Sequence, residues 1–336
     1  MRILFVRPWE DTFIDSDLKT LEKHFDVRVL GIPEDLSLNV RDGVRASKAV
    51  REVTRGLLWA DLAFIWFAGI HAELTVKLAR VVQKKVILVV GGYEVAKIPE
   101  IGYGAQLDPA KAKSIGFVLR NVDRILAVSE FSKGEIMKCG EFPRLQVIRN
   151  AVNTQKFSPS TGKKENIVLT VAETNKMTVK RKGLETFVKA AALVPEARFV
   201  LIGPILDDSI DALKAKAGAN MEFAGRISEE ALIDHYRRAK VYCQLSIHEA
   251  FGVALVESMS CECVPVVTHH GSLPEVAGDI GFYARYGDAE ETAVAIRQAL
   301  ASDKGKAARE RVQSLFSFDR REDELVRAVE AVHRGK

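Results

Sequence analysis

Little in this chain ties it to an oxidising compartment, a membrane or a nucleic acid. Its 336 residues include four cysteines, too few for a disulfide-stapled fold and in keeping with a compartment where thiols stay reduced. Cys261 and Cys263 flank a single residue, but no second Cys or His pair stands nearby at zinc spacing, so buried free thiols are expected. The longest apolar run, Gly56 to Ile70, is broken by Asp61 and is too short to span a bilayer; it fits a helix end followed by a buried strand. Met1-Arg2-Ile3-Leu4-Phe5-Val6 runs straight into a charged loop with no signal peptide before it, so a cytoplasmic location is expected. There is no low-complexity tract, and the composition is ordinary globular, 47% hydrophobic and 28% charged. A net charge of +4 is too small for a nucleic-acid protein, in which a basic face should dominate.

That small excess is unevenly placed. The first 150 residues hold 23 Lys and Arg against 19 Asp and Glu, and the rest hold 26 against 26. Arg41, Arg45, Lys48, Arg51 and Arg55 recur at helical spacing, opposite Ala46, Ala49, Val50, Val53 and Leu57. Two readings stand: a solvated face over a core-packed stripe, or a surface for peripheral contact with an anionic membrane or acceptor.

A chain of this length exceeds one hydrophobic core, so two domains are the expectation. Short apolar runs alternate with helical periods in both halves. Ile3–Val6, Val27–Leu30, Leu62–Phe67, Val86–Val90, Arg124–Val128 and Gln146–Ile148 read as strands, and so do Ile167–Ala172, Phe199–Gly203, Met221–Ala224, Val241–Ser246, Val264–Thr268 and Ile280–Tyr283. Such alternation predicts a parallel sheet covered on both faces, twice over. The expected divisions are an N-terminal Rossmann-like domain over 1–152, a linker over 153–165, a second doubly wound domain over 166–316 and a final helix over 317–336. Leu325, Ala328, Val329 and Val332 form one apolar stripe on that last helix, so it must pack on something.

The densest signal is His248 to Thr268, HEAFGVALVESMSCECVPVVT, which reads loop, helix, strand after the strand-like run ending at Ser246. Glu249 falls in the loop at the carboxyl end of a buried strand, where open α/β sheets bind ligands. Gly252 opens the helix, and the N–H groups of Phe251, Gly252 and Val253 form a seat for phosphate. Carboxylates repel phosphate, so Glu249 and Glu257 are assigned to hydroxyl groups. A sugar nucleotide offers both chemistries.

EAFGVALVE, VPVVT, SLPEVAGD and GFYARYGDAEETAVAIRQAL, in this order, resemble the donor-binding half of the family 4 (group 1) glycosyltransferases, retaining enzymes of GT-B fold. The resemblance covers residues 146 to 334 well and the first half loosely. It implies two doubly wound Rossmann-like domains facing each other across a cleft, with the C-terminal helix crossing back to the first domain. It also implies a hexosyltransferase that takes a nucleotide diphosphate sugar as donor and needs no cofactor, with a sugar, glycan, lipid-linked or small-molecule acceptor. By the resemblance, Glu257 accepts from the ribose hydroxyls and Glu249 from the transferred sugar, where its charge also stabilises a cationic transition state. Lys182 and Arg181, in Lys180-Arg181-Lys182-Gly183, would neutralise the departing diphosphate; for the triplet alone a solvated loop is the other reading. Gly225, Arg226 and Ile227 resemble the loop that holds the donor's base, with Ser228 as the cap of the next helix.

The first half departs from the family. Arg7-Pro8-Trp9-Glu10-Asp11 stands where relatives carry a glycine-rich loop, and Gly91-Gly92-Tyr93-Glu94 where they carry a histidine beside the transferred sugar. Gly91, Gly92, Tyr93 and Glu94 are therefore cleft candidates, with a tight turn as the other reading. Ser129 is a further candidate, though an N-cap role competes. No Asp-x-Asp is found that would hold a divalent ion on a diphosphate, so no metal site and a metal-independent transfer are expected. The missing histidine and glycine-rich loop, with Ala172-Glu173-Thr174-Asn175 where the family usually has an Arg, leave a catalytically impaired sugar-nucleotide-binding protein as one alternative, and the fold by itself leaves a sugar-nucleotide epimerase as another.

Overall fold

The computed structural model describes residues 1–33 and 43–335. It divides into two compact units, Met1–Asn150 with the chain from Arg321 on, and Ala151–Arg320.

In the first unit the strands are β1 (Arg2–Arg7), β2 (Asp26–Gly31), β3 (Leu62–Trp66), β4 (Lys85–Val90), β5 (Arg124–Ala127) and β6 (Leu145–Val147). The helices between them are α1 (Thr12–His24), α2 (Gly43–Trp59), α3 (Ile70–Val81), α4 (Pro109–Asn121) and α5 (Glu130–Lys138). The strands pair in parallel in the order β2-β1-β3-β4-β5-β6. All of β3 is buried, as a strand covered on both faces must be, and this is why it reads as a continuous apolar run.

The second unit repeats the plan with β7 (Glu165–Val171), α6 (Lys176–Arg181), α7 (Leu184–Leu193), β8 (Arg198–Ile202), α8 (Ser209–Lys214), β9 (Met221–Gly225), α9 (Glu229–Arg238), β10 (Ala239–Gln244), α10 (Val253–Ser260), β11 (Val264–Thr268), α11 (Leu273–Ala277), β12 (Phe282–Ala284), α12 (Ala289–Ala301) and α13 (Gly305–Leu315); α14 (Phe318–His333) follows and from Arg321 on belongs to the first unit. The parallel order of the second sheet is β12-β11-β10-β7-β8-β9. The order reverses between β7 and β10 here, and between β1 and β3 in the first sheet. Reversals of this kind splay the loops at the carboxyl edge apart and open a crevice there.

Two stretches differ from their sequence reading. Residues 153–159, expected in a linker, are bonded into the second unit. Arg309 donates to the Thr154 and Phe157 carbonyls, each at 3.1 Å, and Arg237 donates to the Ser158 carbonyl at 2.9 Å. Lys180 and Arg181, expected in a loop, end a short helix: Asn175 caps its start by accepting from Thr178 N at 2.8 Å, and cations suit the carbonyl end of a helix.

The apolar stripe of α14 finds its partner in the first unit, to which the chain from Arg321 belongs. Leu325, Ala328, Val329 and Val332 are buried, and Glu322 accepts from Lys23 at 2.6 Å and pairs with His24 at 2.9 Å. Within α2, Val53 and Leu57 are buried, while Arg45, Lys48, Arg51 and Arg55 are exposed; Val50, expected on the core side, is 37% exposed. Arg41 lies outside the described residues. None of the described helices is long and apolar enough to cross a membrane.

Candidate functional site

The loops that leave β7 and β10 at the reversal of the second sheet are fastened to each other. Ile247 N donates to the Arg181 carbonyl at 2.9 Å. Gly183 takes a left-handed φ of 62° against β10's exit, where a Cβ would fall on the Leu245 carbonyl. Only glycine meets both demands. Tyr286 ties down the same turn by donating to the Lys180 carbonyl at 2.6 Å.

This fastening brings Lys182 and Arg181 to Glu249. Glu249 Oε2 lies 3.5 Å from Lys182 Nζ and 3.8 Å from Arg181 Nη1. It accepts from Gln244 Nε2 at 2.6 Å and from Ser246 Oγ at 3.4 Å. All three charged side chains are less than one-fifth exposed. Burial pushes the Glu249 carboxyl up, but the Lys182 charge, then Arg181 and the Gln244 bond outweigh it and hold the group below its ordinary range. For Lys182, burial is the largest effect and lowers its pKa against the pull of Glu249. The site is thus one carboxylate and two cations in a poorly solvated corner, where charge interactions are strong.

The backbone of Glu249 is fixed from the β11 side. Ser272 donates to the Glu249 carbonyl through N at 2.9 Å and Oγ at 3.1 Å. Gly271, at φ 65°, lies so close that a Cβ would come within 2.5 Å of the Glu249 carbonyl oxygen and 2.6 Å of its nitrogen. Gly271→Ala should therefore push the Glu249 loop aside and cost at least 1–3 kcal/mol, roughly the scale of a strained backbone position. A variant with the parent's melting temperature would show that the loop yields freely.

Helix α10 starts at Gly252, whose φ of 90° is the physical reason for a glycine there. The first N–H groups of a helix have no acceptor within it, which suits Gly252 and Val253 to an anion. Phe251 differs: its side chain is buried edge-on against Phe316, 5.5 Å between centroids, leaving only its backbone to face a ligand. One and a half turns along α10, Glu257 accepts from the buried Tyr236 hydroxyl at 3.1 Å. Gly225 ends the edge strand β9 at φ 65°, followed by half-buried Ile227 and exposed Arg226. Ser228 caps α9 by accepting from Ala231 N at 3.2 Å. Among the described residues no hydrogen bond or ion pair joins Arg226 to Glu249.

Gln244, Gly183, Gly271 and Ser272 were not singled out in the sequence. Gln244 had a signal, being an uncharged polar residue directly after the buried run Val241–Cys243. The glycines had none, because their reason is contact with loops far along the chain.

The first-unit candidates make the following contacts within that unit. Glu94 is buried and its carboxylate accepts from Gly91 N at 3.0 Å, Gly92 N at 2.7 Å and Ala68 N at 3.3 Å. Burial raises its pKa against those bonds. Tyr93 is 42% exposed and meets Tyr103 edge-on at 5.3 Å. Ser129 is buried and caps α5, accepting from Ser132 N at 2.9 Å. His71 is buried with Nε2 2.8 Å from the Trp66 carbonyl, and burial lowers its pKa to about 4.

Cys261 and Cys263 are buried free thiols, the former pushed up to about 12 by burial. Among the described residues no group of three or more His, Cys, Asp or Glu stands ready for a metal ion. The one Asp-x-Asp in the sequence, Asp15-Ser16-Asp17, lies in α1 with its carboxylates paired to Arg7 and Arg321.

Residues 152–314 match the family described as Glycosyl transferases group 1. Over 198 residues the chain is 26% identical to a phosphatidylinositol N-acetylglucosaminyltransferase subunit from Arabidopsis thaliana, covering 56% of this chain and 44% of that protein. It thus spans less than half the length of that relative. Sucrose-phosphate synthase from Thermosynechococcus elongatus superposes with a TM-score of 0.81 at 18% identity over 100% of each chain. Anabaena HepE, solved in complex with UDP and glucose, superposes with a TM-score of 0.78 at 15% identity over 98% of this chain and 100% of that one. At such identities these structures speak for the fold, a pair of parallel six-stranded sheets of GT-B type. Residues 152–314 thus belong to the group 1 glycosyltransferase family, and the two sheets of the chain have the GT-B fold.

Proposed function

We propose that this chain is a retaining glycosyltransferase that moves a hexose from a nucleotide diphosphate sugar to a glycan, lipid-linked or small-molecule acceptor, without a metal. The observation that carries the reading is the Glu249 carboxylate held against Lys182 and Arg181 where the second sheet reverses. When the bond from the anomeric carbon to the diphosphate breaks, the diphosphate leaves with the electron pair and the sugar becomes cationic. Fixed cations stabilise the first charge and a fixed carboxylate the second, and neither must reorganise. The start of α10 supplies N–H donors to phosphate, and Glu257 on the same helix accepts from ribose hydroxyls. A lipid-linked acceptor gains support from the exposed basic face of α2, flanked by exposed Val44 and Leu58, and from a relative named for acting on phosphatidylinositol. Such a face attracts anionic lipid.

The deciding experiment is a panel of sugar nucleotides. Thermal shifts identify the donor, since ligand at a hundredfold its dissociation constant stabilises by about 2.7 kcal/mol. Nucleotide release is then followed with candidate acceptors in excess EDTA. Turnover that needs magnesium or manganese would remove the metal-free mechanism, and a donor that binds but is never consumed would leave a sugar-nucleotide-binding protein.

Two substitutions separate roles within the site. Glu257→Ala is expected to weaken donor binding by roughly 1.5–3 kcal/mol, the scale of a hydrogen bond to a charged acceptor; unchanged affinity in calorimetry removes Glu257 from the donor site. Lys182→Ala should lower turnover more than affinity, by about 2.7–4 kcal/mol in barrier terms. Because burial lowers the Lys182 pKa, its proton is lost below the ordinary 10.5, and parent turnover should fall as pH rises through that lowered value. A Michaelis constant that changes alone, or an alkaline limb retained in Lys182→Ala, contradicts this role.

A further inference from the structure

The first sheet has its own reversal, between β1 and β3, and the loops leaving those two strands are built around stacked aromatic rings. Trp9, after β1, lies on the ring of Phe67, which follows β3, with centroids 4.8 Å and planes 26° apart. The stack covers one face of the indole, yet Trp9 remains 43% exposed. Phe67 is buried beneath it and holds a left-handed φ of 66°, a conformation that a bulky residue keeps only where its surroundings over-determine it.

Those surroundings are specific. Phe67 N donates to the Val89 carbonyl at 2.9 Å, and the Glu94 carboxylate bonds Ala68 N together with Gly91 N and Gly92 N. A Cβ on Gly91 would fall on the Phe67 ring. The glycine pair and the buried Glu94 therefore clamp Phe67 across the carboxyl edge as a bed for Trp9.

The charge beside the indole narrows what it can take. Arg7 is held by Asp15 and, at 2.8 Å, by Glu10, whose side chain is still 80% exposed. Asp11 adds a further carboxylate in the same loop. An anionic ligand would be repelled. The C–H face of a neutral pyranose packs on an aromatic ring while its hydroxyls donate to carboxylates, and reversals of parallel sheets are where such crevices open.

We propose that Trp9, seated on Phe67, is the stacking platform of a second carbohydrate site, which takes the sugar ring of a neutral glycoside. That this glycoside is the acceptor, or the end of an acceptor glycan, rests on the transferase reading above; the platform does not.

Ligand-observed NMR on the full chain tests it, with the methyl α-glycosides of glucose, mannose, galactose and N-acetylglucosamine as neutral probes and glucose 1-phosphate as the anionic one. At least one neutral glycoside should bind, about fivefold more weakly to Trp9→Ala, the scale of one aromatic contact, and near the parent level to Trp9→Tyr. Absence of binding by every neutral glycoside, equal binding by Trp9→Ala, or Trp9-dependent preference for glucose 1-phosphate overturns the proposal. Donor thermal shifts on the same variants keep the two readings apart. A donor that binds where no glycoside does sinks the platform alone, and a Trp9-dependent glycoside with no donor sinks the transferase reading alone.

Discussion

Glu249→Gln is expected to bind the donor about as well as the parent while sugar transfer falls roughly 100- to 1,000-fold, the scale for removing one preorganised electrostatic group. The substitution keeps the size of the side chain and one acceptor oxygen, and the loop should stand because Ser272 and Gly271 hold it through its backbone. What disappears is a negative charge that Lys182, Arg181 and Gln244 maintain. On the proposed reading, the donor presents only hydroxyls to that charge in the ground state. It becomes valuable when the anomeric carbon turns cationic, so the loss belongs in the barrier and not in affinity. The pH behaviour has the same origin. The folded pKa lies below the ordinary value, so the stabilisation from this carboxylate is complete above the ordinary carboxylate range and is lost as pH falls through the lowered value. Acidification from neutrality to pH 5 should thus leave Glu249 charged. Calorimetric donor affinity combined with transfer rates decides the matter: transfer at the parent rate by Glu249→Gln would falsify the role given to the charge.

Arg321→Ala should be the most damaging change to stability, lowering the melting temperature by about 6–20 °C. Arg321 and Asp17 form a two-pronged pair at 2.6 and 2.7 Å, with side chains 6% and 1% exposed. Arg321 also donates to the Ile148 and Arg149 carbonyls at 2.9 and 2.7 Å, and Trp66 Nε1 donates to Asp17 at 3.1 Å. Removing the guanidinium leaves a buried carboxylate with a single neutral donor and strands two carbonyls. Breaking a buried pair in this way costs about 3–5 kcal/mol, and each kcal/mol shifts the midpoint of a domain this size by about 2–4 °C. The double variant with Asp17→Ala should lose less than the sum of the two single ones, because the stranded charge is gone as well. A single-variant loss below 1 kcal/mol, or strict additivity, refutes the account.

These two predictions rest on different kinds of information. The placement of Glu249 in a loop and of Glu257 on the next helix was legible because a buried strand, a loop and an apolar helix opened by glycine follow one another within about twenty residues, and local order places a loop at a strand's carboxyl end whatever the rest of the chain does. Lys182 was legible as a cation before a helix, but the short helix that delivers it was not, since its cap Asn175 reads equally well as a turn residue. For Gly91, Gly92 and Glu94 the sequence left a tight turn and a ligand contact side by side. The turn is what the structure shows, made by the Glu94 carboxylate itself, and the open aromatic surface beside it belongs to Trp9, which had registered only as a departure from a glycine-rich loop.

Periodicity within a dozen residues, with the requirement that an apolar stripe be buried, was enough to set the twelve strands, their parallel pairing, the two-unit plan and the inward face of the last helix. The folded chain was needed to show that Asp17 meets Arg321, that Gly271 lies against the backbone of Glu249 and that Phe67 carries Trp9. Those partners stand on separate elements, and a short-range force between side chains leaves no periodic mark on the chain until the sheets have brought them together.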